Sequence, residues 1–227
     1  QGDETANVPR DEASVAIWQQ LFTERGVSCD VDERGSEASG GERGMNPGER
    51  IFYYDASKNW WSRAGKPEQM PVGEIGGPDS EVFYDFGTPH DPAYGPHCHP
   101  NCDCGRFLEI GNSVFMEYQK TDSGFEKLPA QNVDFGGGLE RITAAANNNG
   151  DVFTIDLLWP VIEQLQTLSG KQYSDNQEAF RVITDHIRGA VFMIGDGVLP
   201  GNAEQGYFVR RLLRRAVRYA DTLDEVI

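Results

Sequence analysis

Apolar and polar residues alternate along two neighbouring stretches of the chain and predict paired strands of an antiparallel sheet. The first strand is predicted over residues 106–118, where Asn112 interrupts a row formed by Leu108, Ile110, Val114 and Met116. Residues 122–124, Asp-Ser-Gly, are typical of a hairpin turn, after which the chain returns as a strand through residues 133–135. Shorter strands are predicted over residues 51–54 and 80–85, with Gly76-Gly-Pro-Asp79 as a turn.

Apolar residues at helical spacing predict one helix near the start of the chain and three in its last third. The first runs from Pro9 to Gly26, and the others cover residues 157–170, 175–194 (with Asp175 as the cap) and 207–220. The break at residues 147–150, Asn-Asn-Asn-Gly, separates the two parts. The predicted fold is therefore α+β, with an antiparallel sheet flanked by helices over residues 1–149 and an all-α segment over residues 150–227.

Three consecutive glycines, Gly136 to Gly138, lead directly into another helix, whose residues Leu139, Ile142 and Ala146 are predicted to form a buried stripe. Glycines let a ligand approach the backbone closely, and the first N–H groups of a helix attract anions. Arg141 lies in the first turn, where its charge opposes the helix dipole, so its position is easiest to explain if it contacts a phosphate. The alternative is a glycine-rich turn followed by an exposed arginine.

Composition narrows the class of protein. The formal net charge of −16 over 227 residues argues against broad, non-specific affinity for nucleic acids. No apolar run approaches the roughly 18 residues that span a bilayer, and residues 1–14 are polar and acidic, unlike a signal peptide. Four cysteines are few for a disulfide-stapled domain, so we expect a cytoplasmic protein, without membrane association, whose thiols are free or bound to metal.

Residues 97–104, His-Cys-His-Pro-Asn-Cys-Asp-Cys, concentrate three thiols and two imidazoles. The candidate ligands of a tetrahedral Zn²⁺ site are His97, Cys98, His99, Cys102 and Cys104. A loop of free thiols is the alternative, because only one residue separates the last two cysteines and every ligand would come from a single loop.

Several polar residues of the predicted sheet are candidates for binding. Glu81 and Asp85 share one face of their strand and either bind Mg²⁺ or ribose hydroxyls, or face water. A buried Asn112 either fixes backbone or binds a ligand. Asp134 is expected beside Asn112 if the two strands pair, and an acid next to an amide suits a primary ammonium group.

The last predicted helix carries arginines opposite its apolar face, with no acidic residue among them. Surface helices usually mix charges, so this pattern favours contacts with phosphates, and salt bridges to the acidic remainder of the chain are the alternative. The arginines are Arg210, Arg211, Arg214, Arg215 and Arg218.

The segment Val133-Asp-Phe-Gly-Gly-Gly-Leu-Glu-Arg-Ile142 resembles motif 3 of the class II aminoacyl-tRNA synthetases in its alanyl form, in which Gly137 is usually Met. Further stretches resemble the same family in the same order, and together they cover nearly the whole chain. They are residues 58–61, 76–85, 106–112, and 181–188 running on to 206–218.

The resemblance implies ATP-dependent ligation of L-alanine to tRNA(Ala) through alanyl-adenylate, with ATP bound as its Mg²⁺ complex. It implies that Arg141 binds phosphates, that Trp61 borders the amino-acid pocket, and that Asn112 helps to hold the substrate ammonium. Asp134, expected beside Asn112, is assigned to the same ammonium group. Gly136 and Gly138 would allow close approach. Gly111 stands where the family usually has Trp, which opens space beside Asn112.

The resemblance also places the arginine helix, with Asn202 before it, at the start of the domain that binds the tRNA acceptor stem. Motifs 1 and 2 of the class have no visible counterpart. We therefore expect a piece of a longer enzyme that is inactive alone, with residues 1–149 as part of the catalytic domain and residues 150–227 as the start of the tRNA-recognition domain. The rival hypothesis is a non-catalytic RNA-binding module that uses only the arginine helix.

Overall fold

The computed structural model describes residues 8–32 and 42–223. These residues fall into two compact units, with the division between Gly150 and Asp151. The first unit begins with helix α1 (Glu12–Glu24), which is capped by the Asp11 side chain accepting from the Ser14 N–H at 3.0 Å. The strands of this unit are β1 (Asp30–Asp32), β2 (Glu49–Phe52), β3 (Trp60–Ser62), β4 (Ile75–Asp85), β5 (Phe107–Thr121) and β6 (Gly124–Gly137).

Within the described residues, β1 and β2 form a small parallel pair, and the other four strands form an antiparallel sheet in the order β3-β4-β5-β6. Together with the helices, this sheet confirms the predicted α+β class. The hairpin between β5 and β6 is also confirmed, because Thr121 pairs with Gly124 and leaves a two-residue turn.

The predicted turn at Gly76-Gly-Pro-Asp79 is wrong, because these residues lie inside β4. Their glycines serve close packing of strands instead. A Cβ on Gly77 would lie 1.7 Å from the carbonyl oxygen of Phe115 in β5, so only glycine fits there.

The two adjacent tryptophans of β3 point to opposite faces of the sheet, as expected for a strand. Trp60 is 8% exposed and packs in a core with Val8, Met70 and Tyr118, whereas Trp61 is 43% exposed. The sheet therefore has one face closed by core packing at this point, and another that Trp61 leaves open.

Helix α2 (Leu139–Ala146) follows β6 directly, with Gly138 as its N-cap. Its buried residues are Ala144 and Ala145, while Leu139 and Ile142 are 63% and 44% exposed. The predicted buried stripe is thus wrong. The small alanines pack closely, and nothing in the described part of the first unit covers the face that carries Leu139 and Ile142.

The second unit is helical and contains α3 (Trp159–Ser169), α4 (Gln177–Gly195) and α5 (Glu204–Asp221). Its core is a cluster around Ile162, Phe180 and Ile183. The predicted end of α3 at Gly170 is confirmed, and this glycine takes the left-handed conformation. Helix α4 begins after Asn176, so Asp175 is not its cap. None of the described helices is long and apolar enough to span a membrane.

Candidate active site

One face of the larger sheet carries a row of residues that runs across three strands. Glu81 of β4 lies opposite Asn112 of β5, which lies opposite Gly136 of β6. Residues directly opposite each other in an antiparallel sheet project to the same side, so these three share a face. A Cβ on Gly136 would meet nothing within 4 Å, which leaves open space beside Asn112.

The next row on the same face contains two aspartates. Asp79 of β4 lies opposite Val114, which lies opposite Asp134 of β6. Because alternate residues of a strand share a face, Asp79 and Asp134 lie on the face of Asn112, one row along. Asp79 is 8% exposed, whereas Asp134 is exposed.

Two side-chain amides hold Asp79, a residue that the sequence had placed in a turn. Asn112 Nδ2 donates to Asp79 Oδ2 and Asn59 Nδ2 donates to Asp79 Oδ1, both at 3.3 Å. Asn59 is itself fixed, because its Oδ1 accepts from the Tyr54 N–H at 3.1 Å. Burial raises the pKa of Asp79 above its ordinary range, although both amides favour the ionised form.

Asn112 has a second polar atom without a partner. Its Oδ1 is buried and accepts no hydrogen bond from the residues that the structure describes. An unpaired buried acceptor typically costs about 1–3 kcal/mol, so this atom would gain from a ligand that donates a hydrogen bond.

Glu81 completes an acidic surface. Burial, followed by the charges of Asp79 and Glu109, raises the pKa of Glu81 to about 7, with the nearby Lys58 opposing the shift. Carboxylates in this arrangement repel one another, so a bound cation would relieve the repulsion.

Asp85, which was predicted to act with Glu81, is engaged elsewhere. Arg106 donates to its two carboxylate oxygens from Nε and Nη2, each at 2.8 Å. This bidentate pair holds the pKa of Asp85 below its usual range. The acidic partners of Glu81 on the sheet are therefore Asp79 and Glu109.

Arg141, on the first turn of α2, extends back toward β5. Its Nη1 donates to the Glu109 carboxylate at 3.0 Å and to the Glu109 carbonyl oxygen at 3.1 Å. The Arg141 side chain runs across Gly138, where a Cβ would lie 3.2–3.3 Å from its aliphatic carbons. Glycine at position 138 thus leaves room for this conformation of the arginine.

The space expected at Gly111 is filled by Phe135. A Cβ on Gly111 would lie 3.1 Å from the Phe135 ring, so the glycine lets this aromatic side chain lie against the strand. Gly111 and Phe135 lie on the opposite face of the sheet from Asn112. Gly111 is the neighbour of Asn112 in β5, Phe135 is the neighbour of its partner Gly136 in β6, and successive residues of a strand point to opposite faces.

A cavity of about 410 Å³ lies at the edge of β4, beneath α1 and β2. Asn59, Asp79 and Glu81 line it, together with Pro100 and Asn101 from the connection between β4 and β5. Its lining includes none of the residues that the sequence assigned to substrate, namely Trp61, Asn112, Asp134, Gly136, Gly138 and Arg141. The cavity and the polar rows therefore meet at Asp79 and Glu81.

The predicted cysteines converge, but with a different histidine. Ligand atoms of His90, Cys98, Cys102 and Cys104 all lie within 4.8 Å of one another. His97 and His99 do not belong to this group, which corrects the predicted ligand set. His99 Nδ1 lies 2.9 Å from the Tyr54 hydroxyl instead, and His97 is exposed.

The arginines of α5 are all exposed. Arg210 donates to the Asn202 side chain, and the Arg215 guanidinium lies 5.8 Å from the centre of the Tyr219 ring. Among the residues that the structure describes, none of the five arginines forms an ion pair. The described residues of the second unit therefore leave all five guanidinium groups exposed.

An antiparallel sheet followed by a glycine-led helix and then a helical unit is consistent with the class II synthetase fold. Residues 37–226 match the family model described as tRNA synthetases class II (A). The chain belongs to this family of class II tRNA synthetases.

Several relatives of the chain are named alanine–tRNA ligase. The chain is 38% identical to an alanine–tRNA ligase of Treponema denticola over 98% of the chain and 32% of that protein. It is 35% identical to one of Borrelia hermsii, over 98% of the chain and 33% of that protein, and 40% identical to one of Dehalococcoides mccartyi, over 87% and 22%. The chain thus spans about a third, or less, of the length of these relatives.

Proposed function

We propose that this chain takes part in ATP-dependent ligation of L-alanine to tRNA(Ala), with alanyl-adenylate as the intermediate. The observation that carries the proposal is the buried, unpartnered Oδ1 of Asn112, on a sheet face that also presents Asp79 and Asp134. The ammonium group of alanine has three N–H donors and one positive charge, and this surface offers an acceptor and two carboxylates.

The nucleotide would bind next to this surface, near the start of β5 and the end of β6. Arg141 exchanges its contact with Glu109 for the phosphates of ATP, to which the glycines before α2 allow close approach. Glu81 and Glu109 are the carboxylates that would bind the Mg²⁺ carried by ATP, since hard oxygen ligands suit this ion. Trp61, exposed on the open face of the sheet, forms a wall of the amino-acid pocket.

The reaction needs positioning and charge neutralisation more than acid–base chemistry. An oxygen of the alanine carboxylate attacks the α-phosphorus of ATP, a new P–O bond forms, and pyrophosphate leaves with the bonding electrons. A ribose hydroxyl at the end of the tRNA then attacks the alanyl carbonyl carbon, and AMP leaves. Arg141 stabilises the phosphate charge during the first step.

The second unit supplies the contacts to tRNA in this proposal. Exposed arginines without ion pairs in the described residues suit a phosphate backbone, and the strongly acidic remainder of the chain would repel nucleic acid elsewhere. Residues 1–149 would then act as part of the catalytic domain and residues 150–227 as the start of the tRNA-recognition domain. A cytoplasmic location accompanies this function.

The test is alanine-dependent exchange of pyrophosphate into ATP by the natural full-length polypeptide. We expect exchange with alanine, and a loss of about 10²–10³ in rate for Arg141→Ala, because it removes one electrostatic contact to the transferring phosphate. Arg63→Ala, an exposed arginine outside the proposed site, is the matched control and should leave the rate unchanged. Binding of tRNA without any alanine-dependent exchange would favour the non-catalytic RNA-binding module.

A further inference from the structure

The group formed by His90, Cys98, Cys102 and Cys104 has the dimensions of a metal site. The Sγ atoms of Cys98 and Cys104 are 3.5 Å apart, and Cys102 Sγ is 3.8 Å from His90 Nδ1. Tetrahedral Zn²⁺, with Zn–S near 2.3 Å and Zn–N near 2.0 Å, needs S–S and S–N separations of about 3.8 and 3.5 Å. We propose that these four residues bind one structural Zn²⁺.

The imidazole of His90 is oriented for this role. Its Nε2 lies 2.9 Å from the backbone carbonyl oxygen of Gly95. A donor at Nε2 leaves Nδ1 as the basic nitrogen, and Nδ1 is the atom on the side of the thiols. Ligating histidines usually donate their second ring nitrogen in this way, which fixes both tautomer and ring orientation.

The chemistry of the donor set selects the metal. Three thiolates and one imidazole suit Zn²⁺, whereas Mg²⁺ and Ca²⁺ require oxygen ligands. All three cysteines are free, and the shortest described separation between their sulfurs is well beyond the roughly 2.05 Å of a disulfide. His90, eight residues before Cys98, supplies the fourth ligand, so the site does not depend on the dense cluster of residues 97–104 alone.

The location of the site indicates what the metal does. All four ligands lie in the connection between β4 and β5, residues 86–106, whose one regular element is a short 3-10 turn at Pro92–Tyr94. A connection of this length without its own helix or strand needs another source of order. The ion pair between Arg106 and Asp85 holds the two ends of the connection together, and the metal would hold the residues between them in place.

The connection in turn forms part of the cavity wall. Pro100 and Asn101, between the second and third ligands, line the cavity that also contains Asp79 and Glu81. His99, beside them, is joined to the Tyr54 hydroxyl in the same wall. The bound Zn²⁺ therefore positions residues next to the acidic surface without itself reaching the substrate.

Metal content tests the assignment independently of enzymatic activity. The full chain, produced with zinc and freed of loosely bound metal, should contain about one Zn²⁺ per chain. X-ray absorption should find three sulfur ligands at about 2.3 Å and one nitrogen at about 2.0 Å. Cobalt substitution should give the thiolate charge-transfer bands and intense visible bands of a tetrahedral site.

Variants identify the ligands. Cys104→Ser and His90→Ala should each retain less than about a tenth of the zinc, while Cys29→Ser and His97→Ala, the matched controls, should keep it all. His90→Cys should restore binding with four sulfur ligands, which separates loss of a ligand from loss of the fold. Wild-type protein with less than about a tenth of an equivalent of zinc, equal loss in the controls, coordination by nitrogen and oxygen alone, or iron with labile sulfide would each overturn the proposal.

Discussion

The amide of Asn112 donates a hydrogen bond to the Asp79 carboxylate across 3.3 Å, from one row of the sheet to the next. Asp134, the acid that the sequence suggested as a neighbour of Asn112, lies on the same face but pairs with Val114. Asn112 is therefore fixed by one aspartate from the side of β4, while the Asp134 carboxylate remains exposed on the side of β6. An ammonium group placed against Asn112 Oδ1 would lie on the face that carries both acids.

Asp134→Ala should weaken alanine binding in the natural full-length polypeptide by about 2–4 kcal/mol, because it removes a charged partner of the ammonium. The measurement is the KM for alanine in pyrophosphate exchange. Glu126→Ala, an exposed acid on the same strand, is the control and should change nothing. An alanine KM within threefold of wild type for Asp134→Ala would exclude this role.

Glu81→Gln should stabilise the protein in a pH-dependent manner. The pKa of Glu81 rises from an ordinary value of 4.5 to about 7 in the folded state, so the folded protein holds a proton that the unfolded chain has released. The resulting stability is present below the unfolded pKa and is lost as the pH rises through 7. At about pH 8 the variant should gain roughly 1 kcal/mol, less than the full shift implies because the side chain is partly exposed.

Urea unfolding at about pH 5 and pH 8 measures this effect, with a smaller difference between variant and wild type expected at the lower pH. Glu126→Gln on β6 is the control for removing an acid from this acidic chain. A stabilisation by Glu81→Gln that is equal at both pH values would show that the Glu81 charge is not its source.

Substitutions of the two glycines on either side of Gly137 should weaken the binding of different substrates. A Cβ at Gly138 presses on the Arg141 side chain, whereas a Cβ at Gly136 enters open space next to Asn112. Gly138→Ala should therefore raise the KM for ATP, and Gly136→Ala the KM for alanine, each by about tenfold, or 1.4 kcal/mol. Gly195→Ala, in the second unit with nothing within 4 Å, is the control. If both variants changed the KM for ATP and the KM for alanine equally, Gly138 and Gly136 would not serve separate substrates.

The arginine helix should bind tRNA through charge. Replacing Arg210, Arg214 and Arg218 with Gln should reduce the slope of log affinity against log salt by roughly two to three, since each phosphate contact releases about one counterion. The same three positions changed to Lys keep the charge and should keep the slope. A Gln variant with an unchanged slope would remove these arginines from the interface.

Removing zinc should expose the connection between β4 and β5 to proteolysis. Tyr94 is 54% exposed within it, so chymotrypsin should cleave there several-fold faster after chelation if the metal orders the segment. Cleavage at sites in the second unit is the internal control. Equal rates with and without metal would mean that the connection is ordered by other contacts.

Local signals in the sequence predicted the elements that depend on neighbouring residues. The β5–β6 hairpin follows from alternation and a turn at Asp122-Ser-Gly124, and the end of α3 follows from Gly170. Residues whose role depends on distant partners were missed. Asp79 looked like part of a turn because it follows Gly76 and Gly77. These glycines in fact allow β3 and β5 to approach β4 closely, which only the pairing of the strands reveals.

The metal group and the exposed face of α2 illustrate the same limit. His90 lies apart from the dense cluster of histidines and cysteines, and only the path of the connection brings it to the thiols while directing His99 to Tyr54. The spacing of Leu139 and Ile142 correctly indicates a helix but cannot tell whether anything covers that face. Periodicity records which side is apolar, and burial depends on what lies opposite.

Arg141 already contacts an anion in this structure, because its Nη1 lies 3.0 Å from the Glu109 carboxylate. Both side chains are partly exposed, so their attraction is worth less than about 1 kcal/mol, and a ligand with several negative charges exchanges places with the carboxylate easily. The contact with Glu109 holds the Arg141 side chain in an extended conformation, so less side-chain entropy is lost when a ligand binds. Under the proposed function, the displaced Glu109 carboxylate would lie beside the phosphates of ATP, where it would bind the Mg²⁺ that the nucleotide carries. Such an exchange favours a nucleotide that arrives with its own divalent cation over a bare phosphate, so one surface ion pair can act as a filter for the form in which the nucleotide enters.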